Sequence, residues 1–500
     1  MPLPAVPSVR RTSDSRPPLN RGRVPSTNGR ARWDEPPSDG GAEAAEGSRR
    51  ARPLGNTRTS LPLKQSTGVV AGQSPRGKTE QEREDSRIDR RDRRYDLRRG
   101  ARVFSAFDAV KACGRVPITA AGGVGLRVSD RVDGQQCVAG FAGLATCGSV
   151  WVCPVCAAKI AARRSAELET VLTWAVDQGH TVALLTLTAR HHAGQRLSDL
   201  WDGIVGSWGT VTSGRPWAGE TEDDFAARLA TWEANCAAYE RGERARAPRG
   251  YRTGTPPVRS VGIAERWGLL GFARAVEATH GTQAGWHPHL HVLLVLEGDQ
   301  TEDCVNRLGE AIWTRWEAAL GRRGLTALRG PGLDIRTSAS DIAAGLGKYF
   351  TKSLAMETTH GYGKAGRGNR APFQVLADAV ETYNADDVDI WDEWQRASRG
   401  RRQLTWSQGL RELANLGAEQ TDEEIATERL DDGQTVLFMD GDTWRAVLAT
   451  KSETSLLTLA EHHGLDAVAR WLTLHRLEGW FIGLWTKDGP IPDPALRESA

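Results

Sequence analysis

No run of 18 or more apolar residues occurs in the 500-residue chain, which excludes an ordinary membrane-spanning helix. No apolar leader stands before the cysteines either, because the first residues are rich in arginine, proline and serine. Secretion, and with it a disulfide framework, is therefore not expected, and the protein reads as cytoplasmic. The first hundred residues also have few aliphatics and no sustained periodicity, so they cannot bury enough surface to offset the entropy of ordering. They hold 22 Lys+Arg against 13 Asp+Glu, a net of +9; the whole chain is +2, which leaves −7 for residues 101–500. Residues 1–103 accordingly read as a disordered basic tail, which either adds salt-sensitive affinity for nucleic acid or stays solvated.

Histidine is not abundant, yet three of the eleven fall at alternate positions: His287, His289 and His291, within Trp286-His-Pro-His-Leu-His-Val292. Alternate residues of a strand share a face. The imidazoles then line one side, turned to solvent, while Leu290, Val292 and Leu294 fill the other. Such a strand is suited to hold a cation. The run Gly271–His280 before it alternates as well, and residues 281–285 between the two read as a hairpin loop. Centred on Gln283, that loop sets Glu277 opposite His289, with Cβ atoms about 5 Å apart. A slip of one residue would turn Glu277 to the far face. Two imidazoles and a carboxylate with open positions, His287 being a further candidate, suit Mg²⁺ or Mn²⁺ when the ligand is a phosphate. Mixed N/O donors favour Mn²⁺ or Zn²⁺ in affinity, so the identity of the ion stays open.

Tyrosine and lysine are both scarce, with six tyrosines and nine lysines in the chain. Two of those lysines, Lys348 and Lys352, flank Tyr349 in a segment that reads as a helix after the short strand Leu333–Thr337. Lys352, at i+3, shares a helical face with Tyr349. A nearby ammonium favours phenolate over phenol and helps neutralise the charge of a phosphorane-like species. Tyr349 is the candidate nucleophile.

Seven cysteines are present, and five of them lie between Cys113 and Cys156. The Cys153-Pro-Val-Cys156 knuckle, preceded by Cys147 and Cys113, has zinc-ligand spacing, with Cys137 an alternative to Cys113. The βαβ pattern that would accompany a thioredoxin-like redox pair is lacking. A structural Zn²⁺ site is expected, and Cys236 and Cys304 are isolated.

His289-Leu-His291 followed by Lys348-Tyr349-x-x-Lys352 resembles the HUH endonucleases, most of all the rolling-circle replication initiator (Rep) proteins of actinobacterial plasmids. Leu184-Leu-Thr-Leu-Thr188, Cys147–Ile160 and Arg401–Arg411 fit the same pattern, so the resemblance runs in order from about Phe104 to Leu413. It implies an α+β fold: a ferredoxin- or RRM-like antiparallel sheet with the metal strand at its centre and the tyrosine helix beside it. It also implies nicking of single-stranded origin DNA by Tyr349, a 5′-phosphotyrosyl intermediate, a free 3′-hydroxyl primer and later strand rejoining. DNA, host helicase and polymerase are the implied partners. A relaxase or transposase of the same superfamily, or an inactive zinc-containing DNA-binding regulator, are the competing readings. One departure concerns termination: the position one turn before Tyr349 is Gly345, which cannot act as a base, and Asp341 is about 12 Å away along a helix axis. Glu357, Tyr362 or a second subunit are left as possibilities.

The chain divides on this reading into the tail, a cysteine-rich zinc module at 104–165, a nuclease domain at 178–360 with an insertion at 213–258, and a basic loop with a mixed α/β accessory region at 361–500. Lys364, Arg367 and Arg370 in the glycine-rich loop, with Arg401 and Arg402, are candidate DNA contacts. Near the C-terminus, Gln434–Met439 and Asp442–Ala449 read as a strand pair, followed by two helices over Ser455–Leu474.

Overall fold

A computed structural model describes residues 79–119, 122–129, 137–337, 369–427, 433–486 and 489–492, all of them within the unit Ser66–Ala500. It begins with helix α1 (Glu80–Phe104), which is closed by a capping box: Thr79 accepts from the Glu82 N–H, and Glu82 accepts from the Thr79 N–H. Residues 80–103 are therefore helix, which corrects the expected tail. The reason lies far along the chain. Glu461 accepts from Arg87 (2.7 Å) and Arg91 (2.7 Å), and Glu453 from Arg99 (3.2 Å). An arginine-rich composition cannot reveal acidic partners more than 350 residues away.

Helix α2 (Asp108–Ala112) follows, then strands β1 (Val124–Val128) and β2 (Ala139–Ala142). These do not form a separate cysteine module with the following helix. They join β9 (Thr435–Met439), β10 (Trp480–Thr486) and β11 (Gly489–Pro492) in a five-stranded antiparallel sheet of order β11-β10-β9-β1-β2. Val124, Leu126, Phe141, Leu437 and Met439 bury one face of it against Trp444, Leu456 and Val468. The expected boundaries at 165 and 361 are thus crossed by strand pairing.

Gly441–Ala449 is a helix and not the expected second strand. Asp440 caps it by accepting from the Thr443 N–H, and Trp444 and Val447 bury at helical spacing. The segment Glu453–Leu474 is helical on both sides of a break at Gly464 (φ 76°), as two helices were expected there.

The second sheet holds the histidines. Its strands are β3 (Thr181–Thr188), β4 (Leu269–Gly281), β5 (Gly285–Leu296), β6 (Leu333–Thr337), the short β7 (Asn369–Arg370) and β8 (Leu404–Trp406). The order is β6-β3-β5-β4-β7, with β8 also on β4, and every pair is antiparallel. Helix α3 (Pro154–Asp177) covers one face, where Leu168, Val171 and Leu172 meet Val182, Leu184, Leu293 and Val295. Helix α4 (Leu197–Val211) and helix α6 (Glu302–Gly321) cover the other, over Leu185, Leu187, Leu290, Val292 and Leu294. Each of these aliphatics, fully withdrawn from water, contributes roughly 2 kcal/mol. Apolar residues on both faces fix the register, and with it the placement of the polar residues at the far end of the sheet.

Between α4 and β4 lies the insertion, whose helix α5 (Glu222–Glu240) buries none of its residues. Among the described residues no helix is long and apolar enough to cross a membrane.

Candidate metal centre

The hairpin of β4 and β5 pairs Glu277 with His289 and Ala275 with His291. This is the register that a loop centred on Gln283 requires. On the other side of β5, Thr186 of β3 stands opposite His291 and Thr188 opposite His289. Nε2 of His289 and Nε2 of His291 each lie 3.2 Å from Glu277 Oε2. One donor atom from each of the three falls within 4.8 Å of the others.

The histidine face is not open to solvent as the alternation suggested. It continues into Leu293 and Val295 beneath α3, and His291 is only 4% exposed. Burial opposes ionisation of Glu277, but hydrogen bonds from His289 and His291 outweigh it and hold the carboxyl at about 2. Glu277 Oε1 and His289 Nδ1 are buried with no hydrogen-bond partner. A buried carboxylate with one unpartnered oxygen, facing two imidazole nitrogens, is a donor set that a divalent cation completes.

Two residues of this neighbourhood were not assigned from sequence. Thr186 Oγ1 lies 3.0 Å from His291 Nδ1; its threonine-rich motif was noticed, but not this contact. His191, in the loop after β3, places Nε2 2.6 Å from His287 Nδ1 and Nδ1 3.1 Å from the Ala284 carbonyl. The pair His191-His192 just after a strand was its only sequence signal. His287 itself stands apart from the three converging groups. Burial pushes it down to about 4, reinforced by His289 and His191, and burial lowers His191 as well. Behind this strand Glu393 accepts from the Trp286 indole N–H (2.8 Å) and from the Leu197 N–H (2.7 Å), tying the start of β5 to α4.

The second cluster is made of thiols. Cys113 Sγ lies 3.7 Å from Cys153 and 3.5 Å from Cys156, and Cys147 lies 3.7 Å from Cys156. Cys137 is not in the group. A tetrahedral zinc with bonds of about 2.3 Å sets its sulfurs about 3.8 Å apart, so the donor set fits that ion. Hydrogen bonds from Cys147, Cys153 and Cys156 pull the Cys113 thiol far below its usual range, while the same contacts push Cys147 far above it. Arg102 donates to the Cys113 carbonyl, which binds α1 to the cluster.

The remaining candidates divide in two. Lys348, Tyr349, Lys352, Lys364 and Arg367 lie outside the described residues. Arg370 is ion-paired with Asp378 (2.8 Å) and Asp387 (2.7 Å), and Arg401 with Asp202 (2.6 Å), so their charges are largely matched within the protein. Arg402 is 69% exposed, 3.6 Å from Glu419.

No family model matches the chain, and no solved structure matches it. Curated relatives do. The chain is 32% identical over 325 residues to a Streptomyces lividans protein named Protein rep, across 56% of this chain and 66% of that protein. It is 33% identical over 242 residues to a Streptomyces cyanogenus protein named Neomycin resistance protein, across 46% of this chain and 50% of that one. It is 24% identical over 146 residues to a Lentilactobacillus hilgardii protein also named Protein rep, across 29% of this chain and 41% of that protein. The chain is thus a homologue of Rep-named proteins, and the aligned stretches span from 41% to 66% of the relatives' lengths.

Proposed function

We propose that this chain initiates rolling-circle replication of a plasmid as a metal-dependent, site- and strand-specific nickase and strand transferase of the HUH kind, with a ferredoxin- or RRM-like core. One observation carries the reading: Glu277, His289 and His291 converge from two paired strands at the centre of an antiparallel sheet. Homology to Rep-named proteins supports it.

Glu277, His289 and His291 would hold a divalent ion (Mg²⁺ or Mn²⁺), which would supply neutralisation of the charge building on the phosphoryl oxygens of the scissile phosphate. Thr186 orients His291. The Tyr349 oxygen attacks phosphorus in line, and the bond from phosphorus to the 3′ oxygen breaks. That oxygen takes up a proton, leaving a free 3′-hydroxyl and a 5′-phosphotyrosyl link. Lys348 and Lys352 favour the phenolate form of Tyr349. The phosphodiester energy is retained in the new bond, so a later attack by a 3′-hydroxyl reseals a strand without ATP. The described chain leaves the sheet at Thr337 on one edge and re-enters at Asn369 on the other. Structural Zn²⁺ at Cys113, Cys147, Cys153 and Cys156, and origin DNA, host helicase and polymerase as partners, complete the proposal.

The purified protein, given a single-stranded origin oligonucleotide and Mn²⁺, is expected to cut it at one position. EDTA should abolish the cut and His289→Ala should cripple it. Cleavage indifferent to both would overturn the reading.

A further inference from the structure

The insertion between α4 and β4 ends its helix on a turn of unbalanced charge. Residues 241–252 hold five arginines against one carboxylate, Glu243, a net of +4 in a chain that is +2 overall. Glu243 pairs with Arg241 at 2.9 Å. Arg244 is held by neutral oxygens, those of Asn235 (2.8 Å) and the Arg246 carbonyl (3.1 Å). Among the described residues no carboxylate pairs with Arg246, Arg249 or Arg252, and all three are exposed. Arg370 and Arg401 differ in this respect, since acids within the protein match them.

The turn is nevertheless built and not loose. The Trp232 indole N–H donates to the Arg249 carbonyl (2.9 Å), and the Tyr251 hydroxyl donates to Glu240 (3.0 Å). The Tyr251 ring meets Tyr239 edge-on at 5.1 Å. Gly250 (φ 83°) reverses the chain and accepts from the Thr255 N–H, where a Cβ would run into the Thr255 carbonyl oxygen. Two concavities flank it. One, of about 380 Å³, is lined by Tyr239, Arg246 and Arg252; the other, of about 780 Å³, by Trp232, Asn235 and Arg249. Among the described residues no carboxylate lines either of them. Guanidinium groups beside aromatic rings, with no acid between, suit a strand whose phosphates carry charge and whose bases stack.

We propose that residues 241–252 form a clasp for the backbone of single-stranded DNA, in which Arg246, Arg249 and Arg252 meet phosphates while Trp232 and Tyr239 offer ring surface to bases. The inference takes from the proposed function only that DNA is the substrate. It needs neither the triad nor Tyr349. The insertion rejoins the sheet at Leu269, which pairs with Leu296 at the end of the β4–β5 ladder away from Glu277 and His289.

The test is the affinity of the full-length protein for a fluorescent single-stranded oligonucleotide, read by anisotropy in EDTA over a range of salt. The variant combines Arg246→Gln, Arg249→Gln and Arg252→Gln, all exposed, and its thermal unfolding should match the wild type. Its affinity should fall about 10-fold or more, and the slope of log affinity against log salt should become shallower by about 2, as expected for three lost phosphate contacts on a single strand. Three lysines at the same positions should restore most of the slope. Wild-type affinity and slope in the glutamine variant overturn the clasp and leave the nickase standing. A loss confined to a duplex probe overturns the single-strand assignment. A protein that shows the predicted loss yet never cuts DNA keeps the clasp and loses the nickase.

Discussion

Glu277 and His289 face each other across the β4–β5 ladder, and the carboxylate oxygen that meets His289 Nε2 at 3.2 Å meets His291 Nε2 at the same distance. A single carboxylate thus closes a site that the strand of histidines only half defines. Glu277→Gln keeps the shape and removes the charge. It should lower Mn²⁺ affinity by two orders of magnitude or more in calorimetry and lower cleavage in parallel. Unchanged affinity would show that the three groups hold each other and not an ion.

Thr186 is not among the three converging donors, yet its hydroxyl is a partner of His291 Nδ1. Thr186→Val retains volume and β-branching but deletes that contact. Mn²⁺ affinity should fall about 10- to 100-fold, as for other groups that orient metal-bound imidazoles. Far-ultraviolet circular dichroism should stay as in the wild type. A loss of helix and strand signal with no change in affinity per folded molecule would make Thr186 a packing residue only.

The thiol cluster sits inside the main core, with Cys113 1% and Cys153 0% exposed. Purified protein should contain one zinc per chain by elemental analysis. Cys153→Ser should abolish it and yield insoluble or protease-sensitive protein, whereas Cys137→Ser should keep both metal and solubility. Loss of zinc in Cys137→Ser would reassign the fourth ligand.

Acid should loosen α1 before the sheets. Burial opposes ionisation of Glu461, but hydrogen bonds from Arg87 and Arg91 hold its carboxyl below the ordinary 4.5. A group depressed in the folded state contributes stability that is complete above its unfolded value and is lost as pH falls through the folded one. Hydrogen exchange in Glu80–Phe104 should therefore accelerate as pH drops below about 4.5, after correction for intrinsic rates. Glu461→Gln should loosen α1 already at pH 7, by on the order of 3 kcal/mol, and should remove most of that acid dependence. Parallel pH profiles for the two proteins would contradict the assignment.

How much of this was legible beforehand follows the range of each signal. The pairing of Glu277 with His289 could be read because only one short loop separates the strands, and the loop sets the register. The short strand Leu333–Thr337 lies where it was read, because its signal is local too. Helix α1 did not, because Glu453 and Glu461, which match its arginines, stand in the last tenth of the chain. For the same reason Val124–Ala142 was assigned to a cysteine module, although its strands complete a sheet whose other members begin at Thr435. His191 escaped because a histidine in a loop has no periodicity; only its contact with His287 gives it meaning.

The most direct test of the account joins metal, nucleophile and substrate in one reaction. Incubated with Mn²⁺ and a single-stranded origin oligonucleotide, the protein should form a covalent adduct carrying the 5′ end of the cut. Peptide mapping should place the DNA on Tyr349, and Tyr349→Phe should form none. An adduct that persists in Tyr349→Phe and maps to another residue, such as Tyr362, would contradict the account.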